Sequence, residues 1–329
     1  MSNNVRESGL QQWLSKSLDI ELPELTMISG DASFRRYFRF DYNAEKTAIA
    51  VDAPPSTEKN AQFVALAGCL AEHQLAVPKV EVANLENGYL CLEDLGSTML
   101  EDKLDASTAT ELYRQASDLI VQLQTLNRSQ LPEIEFFDSE FIERELAIFS
   151  DWFVAKELQI SDASWQQSAQ WRDVCELLSS AILEQPYVAM HRDFHSRNLM
   201  LKDSRMVMID FQDMVWGPIS YDLVSLLRDC YVAWPESLVA QLSKEFYLSQ
   251  KMLQQVDESQ WQRWFDFTGL QRHLKAVGIF CRLDHRDGKT AYRAAIPQTL
   301  HYILDVSARY PELKALNQWL SPFAKGFNK

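Results

Sequence analysis

Apolar residues recur along this chain with two different periods, and the change of period divides it. Short apolar or aromatic-rich runs at 25–29, 34–40, 47–52, 79–83 and 89–92, bounded by turn residues, predict five strands. Asn87-Gly88 between the last two is a hairpin signal, because glycine accepts the left-handed conformation that such turns require. Residues 4–18 read as an amphipathic helix ahead of these strands. A second helix is predicted over 58–73, where Phe63, Leu66, Ala67 and Leu70 share a face. Beyond Gly96 the period becomes helical. Thr108 and Glu111 have the spacing of a capping box, and Leu112, Ala116, Leu119, Ile120, Leu123 and Leu126 form one stripe. Further helices are predicted near 139–157, 165–183, 220–231, 237–250, 261–283 and 295–308. The expected class is α+β, with a small β-rich domain over 1–95 and a large, mainly helical one over 96–329.

One stretch interrupts the helical half. Residues 187–190, 199–201 and 206–209 read as short strands, the last two joined by a tight turn at 202–205. The loop 191–198 (HRDFHSRN) places the carboxylate of Asp193 and the amide of Asn198 five positions apart, and Asp210 follows twelve residues later at a strand end. Metal-assisted phosphoryl transfer needs these residue types: a carboxylate to orient an attacking hydroxyl, and hard oxygen ligands for Mg²⁺ on a triphosphate. A metal-dependent hydrolase built on His191, His195 and Asp210 is the weaker alternative. The residue after the first histidine is Arg192 where a zinc helix would carry glutamate, and the preceding segment reads as a strand. Gly288-Lys289-Thr290 imitates the tail of a phosphate-binding loop, but Leu283 stands where the first glycine is required.

Composition narrows the partners. The 329 residues suit two domains, and 47% hydrophobic with 24% charged content supplies an ordinary globular core. With 32 basic and 46 acidic residues the formal charge is −14, which disfavours nucleic acid, whose binding depends on clustered Lys and Arg. The five cysteines are scattered, without a C-x-x-C pair, as expected of reduced thiols in a cytoplasmic protein. The first residues contain no apolar signal segment, and no run of about 18 apolar residues occurs. Neither export nor a membrane partner is expected.

The blocks 191–198, 209–211 (IDF) and 217–223 (GPISYDL) resemble the aminoglycoside phosphotransferase and choline kinase superfamily, whose members have a protein-kinase-like, two-lobe fold. The segments 30–39 (GDASFRRYFR), 51–55 (VDAPP), 92–96 (LEDLG), 271–275 (QRHLK) and 286–289 (RDGK) are similar to the bacterial anomeric amino-sugar kinases. Those enzymes phosphorylate the C1 hydroxyl of N-acetylmuramate and N-acetylglucosamine in cell-wall recycling. The resemblance implies ATP as co-substrate, Mg²⁺ as cofactor, a small sugar as acceptor and no obligate protein partner. It makes Asp193 the catalytic base, Asn198 and Asp210 the Mg²⁺ ligands, and His195 a donor towards the γ-phosphate. Asp222 would brace the catalytic loop through backbone hydrogen bonds, and residues 93–95, Glu93 and Leu95 among them, would form the hinge that meets adenine.

Trp216, Trp234, Arg228, Arg272 and Lys275 are acceptor-site candidates by motif position. An indole face suits the C–H surface of a pyranose, and arginine suits a carboxylate through two parallel hydrogen bonds. The plainer reading is that helix tryptophans are core and helix arginines pair at the surface. Asp213 is either a contact for a second metal ion or a surface acid. Two departures from the family pattern stand out. Asp52 and the residues after it occupy the place of the strand lysine that holds the α- and β-phosphates, and the nucleotide loop has only Gly30. The expectation is that Arg36 or Arg39 supplies the missing charge; the alternative is a solvated edge-strand face. A kinase for another small alcohol (aminoglycoside, choline or homoserine) and a kinase-shaped module without catalysis are the competing functions.

Overall fold

The computed structural model describes residues 3–28, 35–160, 165 and 168–327. The chain forms two compact units. One comprises Met1–Lys103, Arg128–Glu133 and Arg197–Asp213; the other comprises Leu104–Asn127, Ile134–Ser196 and Met214–Lys329. The single cut expected after residue 95 is therefore replaced by a division that returns two later segments to the first unit.

The first unit is built on a five-stranded antiparallel sheet in the order β1-β2-β3-β5-β4. Its strands are β1 (Thr26–Ile28), β2 (Arg36–Asn43), β3 (Lys46–Asp52), β4 (Val80–Asn84) and β5 (Tyr89–Glu93). The central strand β3 is buried from Ala48 to Asp52, as its apolar run requires. Helix α1 (Asn3–Leu18) lays Leu10 and Leu14 against Phe38, Phe40, Ala48, Ala50, Tyr89 and Cys91. Gly88 fulfils the hairpin signal. Its φ is +68°, and a Cβ there would stand 1.9 Å from the carbonyl oxygen of Ala53, whose N–H donates to Gly88 O. Helix α2 (Asn60–Glu72) buries Phe63, Leu66, Ala67 and Leu70, the face its spacing predicted.

The hairpin of β7 (Leu199–Lys202) and β8 (Arg205–Met208) belongs to this unit for a packing reason. Leu199 O accepts from Leu100 N, Met208 N donates to Ala76 O, and Met200 and Val207 pack on Leu95. Its turn runs through Asp203 (φ +50°) and Ser204 (φ +63°), the pair of left-handed residues a two-residue hairpin demands.

The second unit is helical. Its central element, α8 (Glu258–Asp287), is 30 residues and so about 45 Å long. It is buried over most of its length, which explains why no clean polar face marks it in the sequence. The Asp257 side chain caps its first turn by accepting from Gln260 N, and Gly288, left-handed at φ +67°, ends it. The remaining helices are α3 (Ala109–Gln124), α4 (Ser139–Ile148), α5 (Ala169–Leu183), α6 (Tyr221–Leu227), α7 (Glu236–Ser249), α9 (Ile296–Arg309) and α10 (Lys314–Ala324).

Three local expectations are corrected, and one strand pairing is new. Thr108 makes no side-chain cap bond to α3; Asp105 collects the N–H groups of Ser107 and Thr108 instead. The helix expected over 139–157 is α-helical to Ile148 and then becomes a π-helix over Phe149–Glu157. Gly278 of α8 faces that switch, where a Cβ would lie 2.5 Å from Ile148 O, so only glycine lets the two backbones approach. The helix expected to reach residue 231 stops at Leu227. The strand β6 (Tyr187–Met190) pairs antiparallel with β9 (Val215–Pro218), which the sequence did not announce. All five cysteines are free thiols, and no helix among the described residues is long and apolar enough to cross a membrane.

Candidate active site

The loop after β6 is fixed by one buried acid. Asp222, on α6 and fully buried, accepts from His191 N at 2.7 Å and from Arg192 N at 2.9 Å. These bonds hold Arg192 at φ +79°, a left-handed conformation that costs a non-glycine residue on the order of 1–3 kcal/mol. Burial, offset by His191 and the two backbone donors, leaves the Asp222 pKa raised to about 6. A second acid continues the restraint, because Asp229 accepts from Ser196 N and Oγ and from Tyr231 N. Asp222 thus sits where the family resemblance implied a brace; Asp229 was missed, since nothing local in its sequence distinguishes it.

Between those anchors lie Asp193 and His195. His195 N donates to Asp193 O at 3.1 Å, and its ring meets Tyr231 edge-on at 5.4 Å. Burial alone would push the Asp193 carboxyl up, but Lys275, Arg192, His195 and Arg272 hold it well below the usual carboxylate range. Two of those cations are themselves fixed by one carboxylate. The buried Glu145 of α4 takes Arg192 Nη2 at 2.8 Å, Lys275 Nζ at 3.3 Å and Gln271 Nε2 at 2.9 Å. Lys275 also donates to Tyr221 Oη at 3.0 Å. The arrangement keeps a carboxylate ionised, which is what a group receiving a hydrogen bond from an acceptor hydroxyl requires.

The other candidate residues of the helical unit have different fates. Arg228 is sealed in the core at 1% exposure, its guanidinium 2.7 Å from Asp266 and 3.1 Å from Glu236. It is a structural ion pair, and the expectation of a substrate contact is corrected accordingly. Lys275 is likewise committed to Glu145 and Tyr221. Trp234 donates from Nε1 to Tyr113 Oη at 2.8 Å and packs edge-on against that ring. Trp216 is half-buried on β9, its N–H bonded to Glu135 O and its carbonyl accepting from Phe137 N. Arg272 is buried on α8, with Nη1 3.7 Å from Cys230 Sγ.

In the sheet-containing unit Asn198 and Asp210 are drawn together, because Ile209 N donates to Asn198 O at 3.0 Å. Asp210 has φ +64°, which turns the chain sharply after β8, and its Oδ1 accepts from Gln212 Nε2 at 2.7 Å. Its side chain remains 34% exposed. Phe211 stacks on Phe63 with ring centroids 4.9 Å apart, which locks the following turn onto α2. Among the described residues no three His, Cys, Asp or Glu side chains converge as a metal-binding group, so the zinc-hydrolase alternative gains no support. Mg²⁺ sets a lower requirement, since it is held by one or two protein oxygens with substrate phosphates and water completing the shell. A carboxylate and a neutral amide oxygen, on segments joined by a backbone bond, fit that donor set. Asp213 is paired with Lys59 at 2.9 Å, as a surface acid would be.

The missing strand lysine acquires a physical explanation. Asp52, 1% exposed at the end of β3, is held by Arg6 and by Arg36, whose Nη2 lies 2.6 Å from Oδ2. A lysine there would face two guanidinium groups. Arg36 is therefore committed to Asp52 and Glu7. Arg39 binds Asp94 through Nε at 2.6 Å and Gly96 O through Nη2 at 2.8 Å, and Asp94 also receives Thr47 and Gly96 N. These bonds brace the turn after β5, where Gly96 has φ +81°. Within that stretch Glu93 pairs with Lys202 at 2.8 Å, and the Leu95 side chain packs with Met200 and Val207. The guanidinium near Asp210 is that of Arg35. It is 6% exposed, 2.7 Å from Glu58 and 3.9 Å from Asp210 Oδ1, and it lies over the Phe63 ring. The sequence pointed to Arg36 or Arg39, without indicating that the neighbouring Arg35 is the one beside Asp210. Gly30 and the rest of residues 29–34 lie outside the described residues.

Residues 24–258 match the phosphotransferase enzyme family. The chain belongs to that family. It is also 36% identical over 339 residues to the N-acetylmuramate/N-acetylglucosamine kinase of Pseudomonas aeruginosa, covering 99% of each chain. The enzyme of the same name from Neisseria meningitidis is 37% identical over 321 residues, with 94% of each covered. Among solved structures, Plasmodium vivax ethanolamine kinase superposes with a TM-score of 0.66 at 12% identity, over 94% of this chain and 89% of that one. That likeness concerns fold, and it establishes the protein-kinase-like α+β architecture of this phosphotransferase.

Proposed function

We propose that this phosphotransferase is an ATP- and Mg²⁺-dependent amino-sugar kinase that phosphorylates the anomeric (C1) hydroxyl of N-acetylmuramate and N-acetylglucosamine in the cytoplasm. The observation that carries the substrate class is the end-to-end identity of 36–37% with kinases named for those two sugars. The observation that supports chemistry, and disfavours a retired binding module, is an ionised Asp193 on a loop braced at both ends by Asp222 and Asp229.

In this reading Asp193 accepts a hydrogen bond from the sugar hydroxyl, aligns it towards the γ-phosphorus and takes its proton late in the transfer. His195 donates towards the transferring phosphate. Asn198 and Asp210 hold Mg²⁺, which offsets negative charge on the ATP phosphate oxygens when bound. Arg35, fixed by Glu58, supplies the positive charge that the family draws from a strand lysine, in place of the Arg36 and Arg39 expected from the sequence. The backbone between Glu93 and Leu95, stiffened by Arg39 and Asp94, meets adenine.

ADP release measured against a panel of amino sugars, aminoglycosides, choline and homoserine tests the reading, with phosphorus NMR of the sugar product. Turnover confined to the two amino sugars, with a C1 phosphate resonance, is the expected result. Turnover of only the amino alcohols, or a C6 phosphate, overturns the acceptor assignment.

A further inference from the structure

The helical unit contains buried or half-buried cations, and several are ion-paired: Arg192 and Lys275 share Glu145, and Arg228 has Asp266. Arg272 is different. It is 5% exposed, forms no ion pair among the described residues, and its Nε has no hydrogen-bond partner. Among the described residues its hydrogen bond is from Nη1 to Cys230 Sγ at 3.7 Å. The neighbouring acid, Asp229, is already occupied by Ser196 N and Oγ and by Tyr231 N. Asp193 and Asp229 act on it through space but neither bonds it, and a buried charged donor edge left without hydrogen bonds is costly, on the order of 1–3 kcal/mol or more. Such a group persists where an anion completes it.

The place of that unbonded edge bears on which anion could meet it. Cys230 stands between Asp229, which anchors Ser196 of the catalytic loop, and Tyr231, whose ring meets His195. Arg272 therefore borders the segment that carries Asp193, the group assigned to the acceptor. The nucleotide phosphates are assigned to Arg35, Asn198 and Asp210 of the other unit. Of the two acceptor sugars, N-acetylmuramate carries a lactyl carboxylate and N-acetylglucosamine carries none. Nε with the adjacent Nη2 offers the planar two-donor edge that matches a carboxylate.

We propose that Arg272 is the carboxylate seat of the acceptor site, and that it sets the preference between the acidic and the neutral amino sugar. This assignment rests on the amino-sugar kinase reading above. Arg272→Gln keeps length and polarity but removes the charge. The readout is the ratio of kcat/KM for N-acetylmuramate to kcat/KM for N-acetylglucosamine, with thermal unfolding recorded in parallel. The ratio is expected to fall about 10- to 100-fold, the range for losing a charged hydrogen-bonded pair. Arg272→Lys, which retains charge but loses the planar edge, should recover part of it, and it reads the same ratio should Arg272→Gln fail to fold. Equal losses on both sugars mean that Arg272 serves the phosphate or the fold, and they overturn the proposal alone. A wild-type protein inert to both sugars overturns it together with the functional reading.

Discussion

Asp193 and Asp210 are both acids near cations, but the two surroundings differ in kind. Asp193 lies in the field of Lys275, Arg192, His195 and Arg272, and two of these are locked by the buried Glu145. Near Asp210 stands the Arg35 guanidinium, 3.9 Å from Oδ1, and the Asp210 side chain stays about one-third exposed. A base must remain ionised and fixed, so a dense, rigid cationic cage serves it. A ligand for a divalent ion must stay open; the same cage around it would repel the ion at short range. Under the proposed function, the comparison separates a site suited to proton acceptance from one suited to metal and phosphate.

The sharpest way to break this distinction is at the base. Asp193→Asn preserves shape but removes the charge, and turnover of the amino sugars should fall roughly 10²–10⁴-fold in protein that circular dichroism shows to be folded. Near wild-type turnover would deny Asp193 its role. A smaller effect is expected on the metal side. Arg35→Ala should raise the KM for ATP about tenfold and increase the Mg²⁺ concentration needed for half-maximal rate, in line with the loss of one charged contact of roughly 1.5–3 kcal/mol. Arg36→Ala should instead lower stability, since it removes one of two partners from the buried Asp52, and leave the KM for ATP nearly unmoved. The opposite pattern would return the nucleotide role to Arg36.

The smallest effect concerns pH. Asp193 is held too low to titrate near neutrality, whereas Asp222 titrates near 6. As pH falls through about 6, protonated Asp222 binds the His191 and Arg192 N–H groups less well, so kcat/KM should decline by a few-fold. Asp222→Asn should lack that limb while starting from a lower rate. The folded pKa is above the unfolded value of about 3.9, so the contribution of Asp222 to stability is present below pH 4 and is lost as pH rises through about 6. Relative to wild type, Asp222→Asn should therefore gain stability between pH 4 and 7, which urea midpoints at the two pH values would detect. A parallel pH dependence in both proteins would remove Asp222 as the cause.

Local pattern was legible where one face of an element is buried. The spacing of Phe63, Leu66, Ala67 and Leu70 identified α2, and Asn87-Gly88 identified a hairpin whose glycine has no room for a side chain. Pattern failed where burial surrounds an element or where backbones meet. The ends of α8 were underestimated because its first and last turns, with Glu258, Ser259, His285, Arg286 and Asp287 exposed, lie outside the buried run from Trp261 to Leu283 and carry no apolar period. The π-helical turn after Ile148 depends on Gly278, about 130 positions away. Among the arginines of the β2 region, sequence spacing gave no means of choosing, since the choice depends on which acids face each guanidinium.

The sequence by itself determined the chemical alphabet: Asp193, Asn198 and Asp210 at short, fixed separations, with strands and turns to present them. Those relations are local, and local geometry is written in neighbouring residues. Only the tertiary structure decided the charge environment. It joined Glu145 to Lys275, Asp229 to Ser196 and Glu58 to Arg35, and it left Arg272 Nε without a hydrogen bond among the described residues. Electrostatic partners act through space, so their identity depends on packing between segments far apart in the chain.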